Sequence, residues 1–236
     1  MLAPLPSLPS LPSSAGPGIP ADAAAVLFLC GSARERGGGV TSDEKFMQIA
    51  LAEARLALGE RHYPCGCVLV VGGRVVATGR NEVYRRRDPT RHGEMVALEA
   101  AFRRPGAPSV LLPGSTAYVT AEPCLMCAGA FLQAGVEHVV FGAPSGDYGS
   151  LRTGDILRAS GLADQIGWRG GVLADECRTL LREWTDYRQQ VLAQLEGRSA
   201  TDIASLLRAE GLTMAHVSAW RAERTTGHPA QPSVPP

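Results

Sequence analysis

Two short stretches of the chain constrain its fold more than any other feature. In "RHGEMVALEA", His92 and Glu94 stand two positions apart in an otherwise apolar segment. After 28 intervening residues, "EPCLMCAGA" places Pro123 directly before Cys124 and Cys127. Taken separately, the first stretch is typical of a solvated helix start and the second of a metal half-site or a redox pair. Taken together, they predict two helix starts that meet at one site.

The cysteine stretch has the spacing of a metal half-site. Cysteines at positions i and i+3 of a helix share one face, so both sulfurs can reach one ion. We predict a helix from Pro123 to Ala134, whose first-turn N–H groups and dipole favour thiolate over thiol. His92 opens another predicted helix and offers a third ligand. Three protein ligands leave one zinc position open, as in catalytic rather than structural zinc sites.

Glu94 has a separate role in this interpretation. A carboxylate is a poor fourth ligand for zinc beside two thiolates, and it suits a proton shuttle better. The combination of H-x-E with P-C-x-x-C is the signature of zinc deaminases, in which the glutamate is a general acid and base. The residues therefore predict a hydrolytic deaminase with one zinc ion (Zn2+) per chain.

Residues from about 42 to 190 resemble the cytidine/deoxycytidylate deaminase superfamily. Within it, they are most similar to the branch of tRNA adenosine, guanine and cytosine deaminases. The matching segments, in the family's order, are "CGCVLVVGGRVVATGRNE", "DPTRHGEMVALEAA", "AYVTAEPCLMCAGA", "VVFGA" and "GVLADECRTLLREW". The resemblance implies an α/β fold with three α-β-α layers and a five-stranded mixed sheet. It also implies a homodimer or a larger assembly.

The resemblance also implies where a substrate binds. Asn81 would hydrogen-bond the base or ribose, and the peptide N–H groups of Gly93 and Cys124 would lie near the reacting amino group. Glu122 is a weaker candidate, either as a substrate contact or as a residue that orders the cysteine loop. In the implied reaction, an exocyclic amine is replaced by a carbonyl and ammonia is released.

The predicted order of helices and strands agrees with an α/β fold. Thr41 and Glu44 form a capping-box pattern at the start of a helix that Gly59 can terminate. Two β-rich runs flank Gly72 and Gly73, which is a strong hairpin signal. Strand, helix and strand patterns follow, then a short strand at "GGVL" and a helix from Ala174 to about Leu195.

Domain boundaries follow from shifts in composition. Residues 1–40 contain the repeat "PLPSLPSLPSS" and a glycine run, so we predict a disordered extension. Residues 41–196 form the predicted deaminase domain. Residues 197–236 form a partly helical extension to which the sequence assigns no function.

Charge and cysteine content limit the partners and the compartment. Basic and acidic residues both number 23, so the net charge is zero and does not indicate a nucleic-acid or membrane binder. No apolar run reaches the length of a membrane span. The apolar stretch at 23–30 has no Lys or Arg before it, which disfavours export. Six cysteines in such a chain predict reduced thiols and a cytoplasmic location.

The sequence favours a free nucleobase, nucleoside or nucleotide as substrate, with tRNA adenosine editing as the alternative. Gly93 stands where tRNA-editing enzymes usually carry alanine, and "PSGDYGSLRTGD" replaces their lysine- and glycine-rich stretch. A binding module without catalysis is a third interpretation, which the intact Glu94 disfavours. The loop that enters the site contains four arginines, which are either solvated or available to bind phosphate. They are Arg85, Arg86, Arg87 and Arg91.

Overall fold

A computed structural model describes residues 41–107, 111–144, 152–209 and Val217. The predicted extension at residues 1–40 and most of the chain beyond 209 lie outside these described residues. Two compact units meet in sequence between Leu181 and Arg182. The first of these units contains the sheet and all predicted site residues.

The elements follow the predicted order of helix, hairpin, helix, strand, helix and strand. In chain order they are α1 (Ser42–Gly59), β1 (Gly66–Val71), β2 (Arg74–Arg80), α2 (Val83–Arg86), α3 (Gly93–Arg103), β3 (Ser115–Ala121), α4 (Leu125–Gln133), β4 (His138–Ala143), α5 (Thr153–Ala159), a 3-10 turn (Ala163–Gln165), β5 (Gly167–Arg169), α6 (Ala174–Leu195) and α7 (Ala200–Ala209).

The five strands form one mixed sheet in the order β2-β1-β3-β4-β5. Strand β1 is antiparallel to both β2 and β3, whereas β3, β4 and β5 are parallel. The parallel pairs need crossover connections, and helices supply them. The predicted five-stranded mixed sheet is therefore confirmed.

Two glycines show that helices cover both faces of this sheet. A Cβ on Gly66 would lie 2.0 Å from the carbonyl oxygen of Ala50 in α1. A Cβ on Gly79 would lie 2.4 Å from the backbone nitrogen of Ala97 in α3. Gly79 pairs with Cys67, the neighbour of Gly66, so the two glycines face opposite sides of the sheet. Helices α1 and α3 therefore form outer layers on either side, as the predicted three-layer fold requires.

Local signals in the sequence account for α1 and for the hairpin. The Thr41 side chain accepts a hydrogen bond from the Glu44 N–H, and the Glu44 carboxylate accepts one from the Thr41 N–H. The predicted capping box is thus present. Gly72 and Gly73 have φ of 55° and 73°, the left-handed conformation that a tight two-residue hairpin turn requires.

Two predicted boundaries are wrong. Helix α4 begins at Leu125, with Cys124 as its extended N-cap, and not at Pro123. The chain leaves β3 in an extended conformation and turns into the helix only after Cys124. The fifth strand is Gly167–Arg169 and not the "GGVL" that follows it. Positive φ angles at Gly171 and Leu173 turn the backbone out of a strand conformation there.

The second unit includes the end of α6 and all of α7. The predicted long helix from Ala174 to Leu195 is confirmed. Trp184 and Tyr187 are buried with ring centroids 5.9 Å apart. Helix α7 buries Leu206 and Leu207. Across the part of the chain that the structure describes, no helix has the length and apolarity needed to cross a membrane.

Candidate active site

The predicted site residues gather at one end of the sheet. Strand β1 begins where β2 ends, since Gly66 pairs with Arg80, and β3 also ends on this side. Cys65, Asn81 and Glu122 are the residues just outside these three strand ends. Helix α3 begins at the same end of the sheet, and so does α4, which follows β3.

Three side chains form a group with the geometry of a metal site. His92 is the N-cap of α3 and Cys124 is the N-cap of α4, so each side chain projects from a helix start. The His92 Nδ1 lies 3.6 Å from the Sγ of Cys124 and 3.6 Å from the Sγ of Cys127. The two sulfurs are also 3.6 Å apart. The structure thus brings together all three predicted ligands.

These separations fit zinc. Tetrahedral bonds of about 2.3 Å to sulfur and about 2.0 Å to nitrogen place neighbouring ligand atoms roughly 3.5–3.8 Å apart. Two thiolates and one imidazole are ligands that zinc prefers, and three protein ligands leave one position for water or substrate. Among the described residues, these three are the group of His, Cys, Asp and Glu side chains that converges closely enough to hold an ion.

The two cysteines differ in their acidity. The hydrogen bond between the two sulfurs lowers the pKa of Cys124, and burial opposes this shift. A further hydrogen bond from His92 also favours the Cys124 thiolate. The pKa of Cys127 is raised, because its hydrogen bond with Cys124 and its burial both favour the neutral thiol. Zinc would bind both cysteines as thiolates, so metal binding at this site would release protons.

Glu94 lies in the first turn of α3 and is only 2% exposed. Burial raises the pKa of its carboxyl group, since the charged form loses its hydration. A carboxyl group with a raised pKa can both accept and return a proton near neutral pH. The position of Glu94, two residues after a metal ligand, supports the predicted role as proton shuttle.

Asn81 and Gly93 lie close to the residue that precedes β1. The Asn81 N–H donates to the Cys65 carbonyl oxygen at 3.0 Å, and its Oδ1 accepts from the Val83 N–H at 3.2 Å. A Cβ on Gly93 would lie 2.8 Å from the same Cys65 carbonyl. The glycine at this position thus lets the start of α3 approach the sheet closely. The predicted substrate contacts of Asn81 and Gly93 stay predictions.

Glu122 is the last residue before the cysteine loop and is 8% exposed. Its Oε1 accepts hydrogen bonds from the Gly154 N–H at 2.9 Å and from the Trp168 Nε1–H at 3.3 Å. These contacts connect the cysteine loop to the start of α5 and to β5. They support the ordering role over the substrate-contact role, although the latter stays a prediction.

The arginine-rich loop is largely neutralised within the protein. Arg85 and Arg86 both pair with Glu82, and Arg91 pairs with Glu99. These contacts favour the interpretation of a solvated loop over that of a phosphate clamp, because three of the four guanidinium groups already have carboxylate partners.

Sequence analysis missed one residue of this site. Cys65 begins the matching segment "CGCVLVVGGRVVATGRNE" and was given no role in the site, yet its Sγ lies 3.6 Å from the Glu94 Oε2. The two residues are 29 positions apart, and no spacing rule connects them. Only the three-dimensional register of β1 against α3 reveals their contact.

A mixed sheet between helices, with one histidine and two cysteines at its edge, defines a class of zinc-binding α/β domain. Residues 40–143 match the family described as the cytidine and deoxycytidylate deaminase zinc-binding region. A tRNA-specific adenosine deaminase of Bacillus subtilis is 37% identical over 145 residues, which cover 60% of this chain and 88% of that protein. The chain belongs to the cytidine and deoxycytidylate deaminase family, which confirms the resemblance seen in the sequence.

Two further relatives illustrate the range of this similarity. The chloroplastic tRNA(adenine(34)) deaminase of Arabidopsis thaliana is 46% identical over 105 residues. These residues are 44% of this chain but only 8% of that protein. A solved structure from a study of A-to-I editing by tRNA:A34 deaminases superposes with a TM-score of 0.52 and 32% identity. It covers 58% of this chain and 98% of the solved one.

Proposed function

We propose that this protein is a zinc-dependent hydrolytic deaminase. It converts the exocyclic amine of a nucleobase, nucleoside or nucleotide to a carbonyl and releases ammonia. The observation that carries this proposal is the buried Glu94, which lies in the first turn of α3, two residues after one of the three converging zinc ligands. A site with a purely structural metal needs no buried carboxyl group at this position.

The zinc site is formed by His92, Cys124 and Cys127. When bound there, zinc supplies a Lewis acid that lowers the pKa of a coordinated water from about 16 to roughly 7. The three protein ligands fix the position of this chemistry at the edge of the sheet, beside the Glu94 carboxyl group.

Glu94 moves the protons of the reaction. Its carboxylate takes a proton from the attacking water and delivers it to the ring nitrogen next to the amine-bearing carbon. After the water oxygen has bonded to that carbon, the carboxylate takes the remaining hydroxyl proton and passes it to the amine, so that the C–N bond breaks, a carbonyl forms and ammonia leaves. Burial of the side chain assists both transfers, because it brings the acidity of the carboxyl group closer to neutral.

Asn81 and two peptide N–H groups orient the substrate. The Asn81 side chain hydrogen-bonds the base or ribose, while the N–H groups of Gly93 and Cys124 face the reacting amino group. The hydrogen bond from the Val83 N–H to the Asn81 Oδ1 supports this role, because it fixes the amide before the substrate arrives. Glu122 holds the cysteine loop in place, and a direct contact with substrate stays an expectation.

A free nucleobase, nucleoside or nucleotide is the favoured substrate. The paired arginines in the entry loop support a small substrate over a polyanion. The close approach of Gly93 to Cys65 also distinguishes this chain from enzymes with alanine at that position. The second candidate is adenosine in tRNA, which the 37% identity to a tRNA-specific adenosine deaminase favours.

We further propose a homodimer in the cytoplasm, where the five described cysteines, all free thiols, would stay reduced.

Replacement of Glu94 by glutamine tests the chemistry. Glu94→Gln should bind zinc normally and lose at least about a hundredfold in ammonia release, since general acid–base catalysis contributes 10²–10⁴-fold. Glu99→Gln removes a carboxylate from the same helix and should keep turnover. A Glu94→Gln variant with most of its activity contradicts the proposed mechanism.

An ammonia-release screen distinguishes the two substrates. The panel contains cytosine, guanine, adenine, their nucleosides and nucleotides, and an anticodon stem-loop. A neutral base should bind almost independently of salt, whereas RNA affinity should fall steeply between about 50 and 200 mM salt. If the enzyme deaminates only the stem-loop, and does so with this steep salt dependence, its substrate is adenosine in tRNA and not a free nucleobase, nucleoside or nucleotide.

A further inference from the structure

Cys65 contacts the centre of the site, although neither metal binding nor the proposed proton transfer requires a thiol there. The residue directly precedes β1 and is 5% exposed. Its Sγ lies 3.6 Å from the Glu94 Oε2, a distance at which a thiol makes a weak hydrogen bond to a carboxylate. The thiol is therefore in direct contact with the carboxylate that moves protons.

The backbone of Cys65 contacts two other residues of the site. Its carbonyl oxygen accepts the Asn81 N–H at 3.0 Å. The same oxygen faces Gly93, where a Cβ would approach it to 2.8 Å. Its own N–H donates to the Tyr63 carbonyl oxygen at 2.8 Å, which fixes the peptide in this orientation. A change of side chain leaves these backbone contacts in place.

The Cys65 thiol is suited to donate rather than to react. Burial raises the pKa of this thiol well above its ordinary value, and the neighbouring Glu94 raises it further. Because the thiol keeps its proton, the Cys65 S–H is the donor and the Glu94 Oε2 is the acceptor of this hydrogen bond. The Glu94 carboxyl group also hydrogen-bonds a backbone N–H and the Cys127 side chain. The Cys65 thiol adds a contact to Oε2 from the strand side, which further restricts the orientation of the carboxylate.

We infer that Cys65 is a positioning residue for Glu94, whose carboxylate it holds toward the metal site by an S–H···Oε2 hydrogen bond. This inference rests on the proposed deaminase function, because the position of the carboxylate matters through proton transfer. The thiol itself forms no bond with substrate and undergoes no change in oxidation state.

The test compares Cys65→Ala, Cys65→Ser and the matched control Cys67→Ala in the full-length, zinc-loaded protein. Cys67 is a fully buried cysteine two residues away in β1. Loss of the donor in Cys65→Ala should lower kcat about tenfold, less than the hundredfold of a 1 Å misplacement. KM should change less than about twofold, because the backbone bond to Asn81 is intact. Serine keeps a donor, but its C–O bond is shorter than the C–S bond, so its kcat should lie between those of Cys65→Ala and the wild type.

Two readouts separate positioning from a loss of folding. Zinc content should be equal in all four proteins, and the unfolding temperatures of Cys65→Ala and Cys67→Ala should fall by similar amounts. Wild-type kcat in Cys65→Ala, or a Cys65→Ser variant as slow as Cys65→Ala, overturns the inference. A tenfold loss in Cys67→Ala also overturns it, since the effect would then belong to any buried thiol of β1.

Crystal structures of the same variants keep the inference testable if the proposed function fails. Should wild-type protein release no ammonia from any substrate, the proposed function is wrong, and the orientation of Glu94 then decides the inference alone. The carboxylate should take a second orientation in Cys65→Ala and a single one in Cys65→Ser. An unchanged carboxylate in Cys65→Ala overturns the inference whatever the activity.

Discussion

At the scale of single residues, three buried glutamates differ in their hydrogen-bond partners and in their roles. Glu82, Glu94 and Glu122 are all less than 9% exposed, and an uncompensated buried carboxylate is costly. Glu82 has two arginine partners, and Glu122 accepts two N–H hydrogen bonds. Glu94 contacts the Cys65 thiol and also hydrogen-bonds a backbone N–H and the Cys127 side chain. Burial nevertheless raises the pKa of Glu94, which is the carboxyl group to which the proposed function assigns a proton.

His62 gives a prediction at the same scale. It is 3% exposed and stacks on Tyr84 with ring centroids 5.5 Å apart. Among the described residues, no partner hydrogen-bonds its Nδ1. Burial lowers the pKa of His62 below its ordinary 6.5, with Glu60 and Glu82 opposing and Arg85 and Arg80 adding to the shift.

The sign of the resulting pH dependence follows from linkage. The unfolded chain binds a proton at His62 as the pH falls through 6.5, while the folded protein stays neutral until lower pH. His62 thus costs no stability above pH 6.5 and reduces it progressively below. His62→Phe should keep the ring stacking and flatten the loss of urea stability between about pH 7.5 and 5.5. An equally steep slope in His62→Phe contradicts the prediction.

At the scale of elements, glycines set the distance between the helices and the sheet. The missing side chain of Gly79 lets α3 approach β2, because a Cβ would lie 2.4 Å from both Ala97 N and Gly93 O. These are backbone atoms that cannot rotate away. The first turn of α3, which contains Glu94, therefore packs against the end of β2, directly before Asn81.

Alanine at Gly79 should therefore destabilise the protein, whereas alanine at Gly59 should not. Overpacking at Gly79 should cost about 1–3 kcal/mol in free energy of unfolding. Gly59 ends α1 with open space around it, so Gly59→Ala should be neutral or stabilise by up to about 1 kcal/mol. Urea denaturation measures both changes. Equal stability of the two variants would show that the α3 contact is not tight.

Metal removal tests the link between the two helix starts. The ligands come from the N-caps and first turns of α3 and α4, so bound zinc connects segments that are more than thirty positions apart. A chelator should lower the unfolding temperature, and an equivalent of zinc should restore it. Calorimetry with and without chelator gives the result. The Cys124→Ser variant serves as control, since it should lose most of this difference.

The sequence predicted the features of the site that depend on local spacing. The three converging side chains follow from H-x-E and P-C-x-x-C, and the capping box and the Gly72-Gly73 turn follow from short patterns. The contacts of Cys65 with Glu94 and of Glu122 with Trp168 join residues 29 and 46 positions apart. Such contacts depend on how strands and helices stack, which no pattern of spacing encodes. The predicted start of α4 was wrong for a related reason. Cys124 continues the extended backbone that leaves β3, and the local sequence pattern does not encode this.

At the scale of the whole molecule, the sheet and the site lie in the unit before Arg182. We predict that a chain of residues 41–196, which contains this unit from Thr41 onward and the whole of α6, folds cooperatively and binds one zinc ion per chain. It should unfold at a lower temperature than the full chain, because α7 buries Leu206 and Leu207. Metal analysis and calorimetry of the shortened chain measure both properties. A shortened chain without zinc would contradict the predicted domain boundary.

The turn at Gly72 and Gly73 has a practical consequence. It closes β1 and β2 at the end of the sheet opposite Cys65 and Asn81, with the six residues of β1, roughly 20 Å, in between. Its two residues are exposed, and their missing side chains face open space. A fluorophore or a surface tether attached at the exposed position of Arg74, directly after this turn, would leave both glycines in place and lie at the far end of the sheet from the site. The hairpin thus offers a handle by which the protein can be immobilised in one orientation.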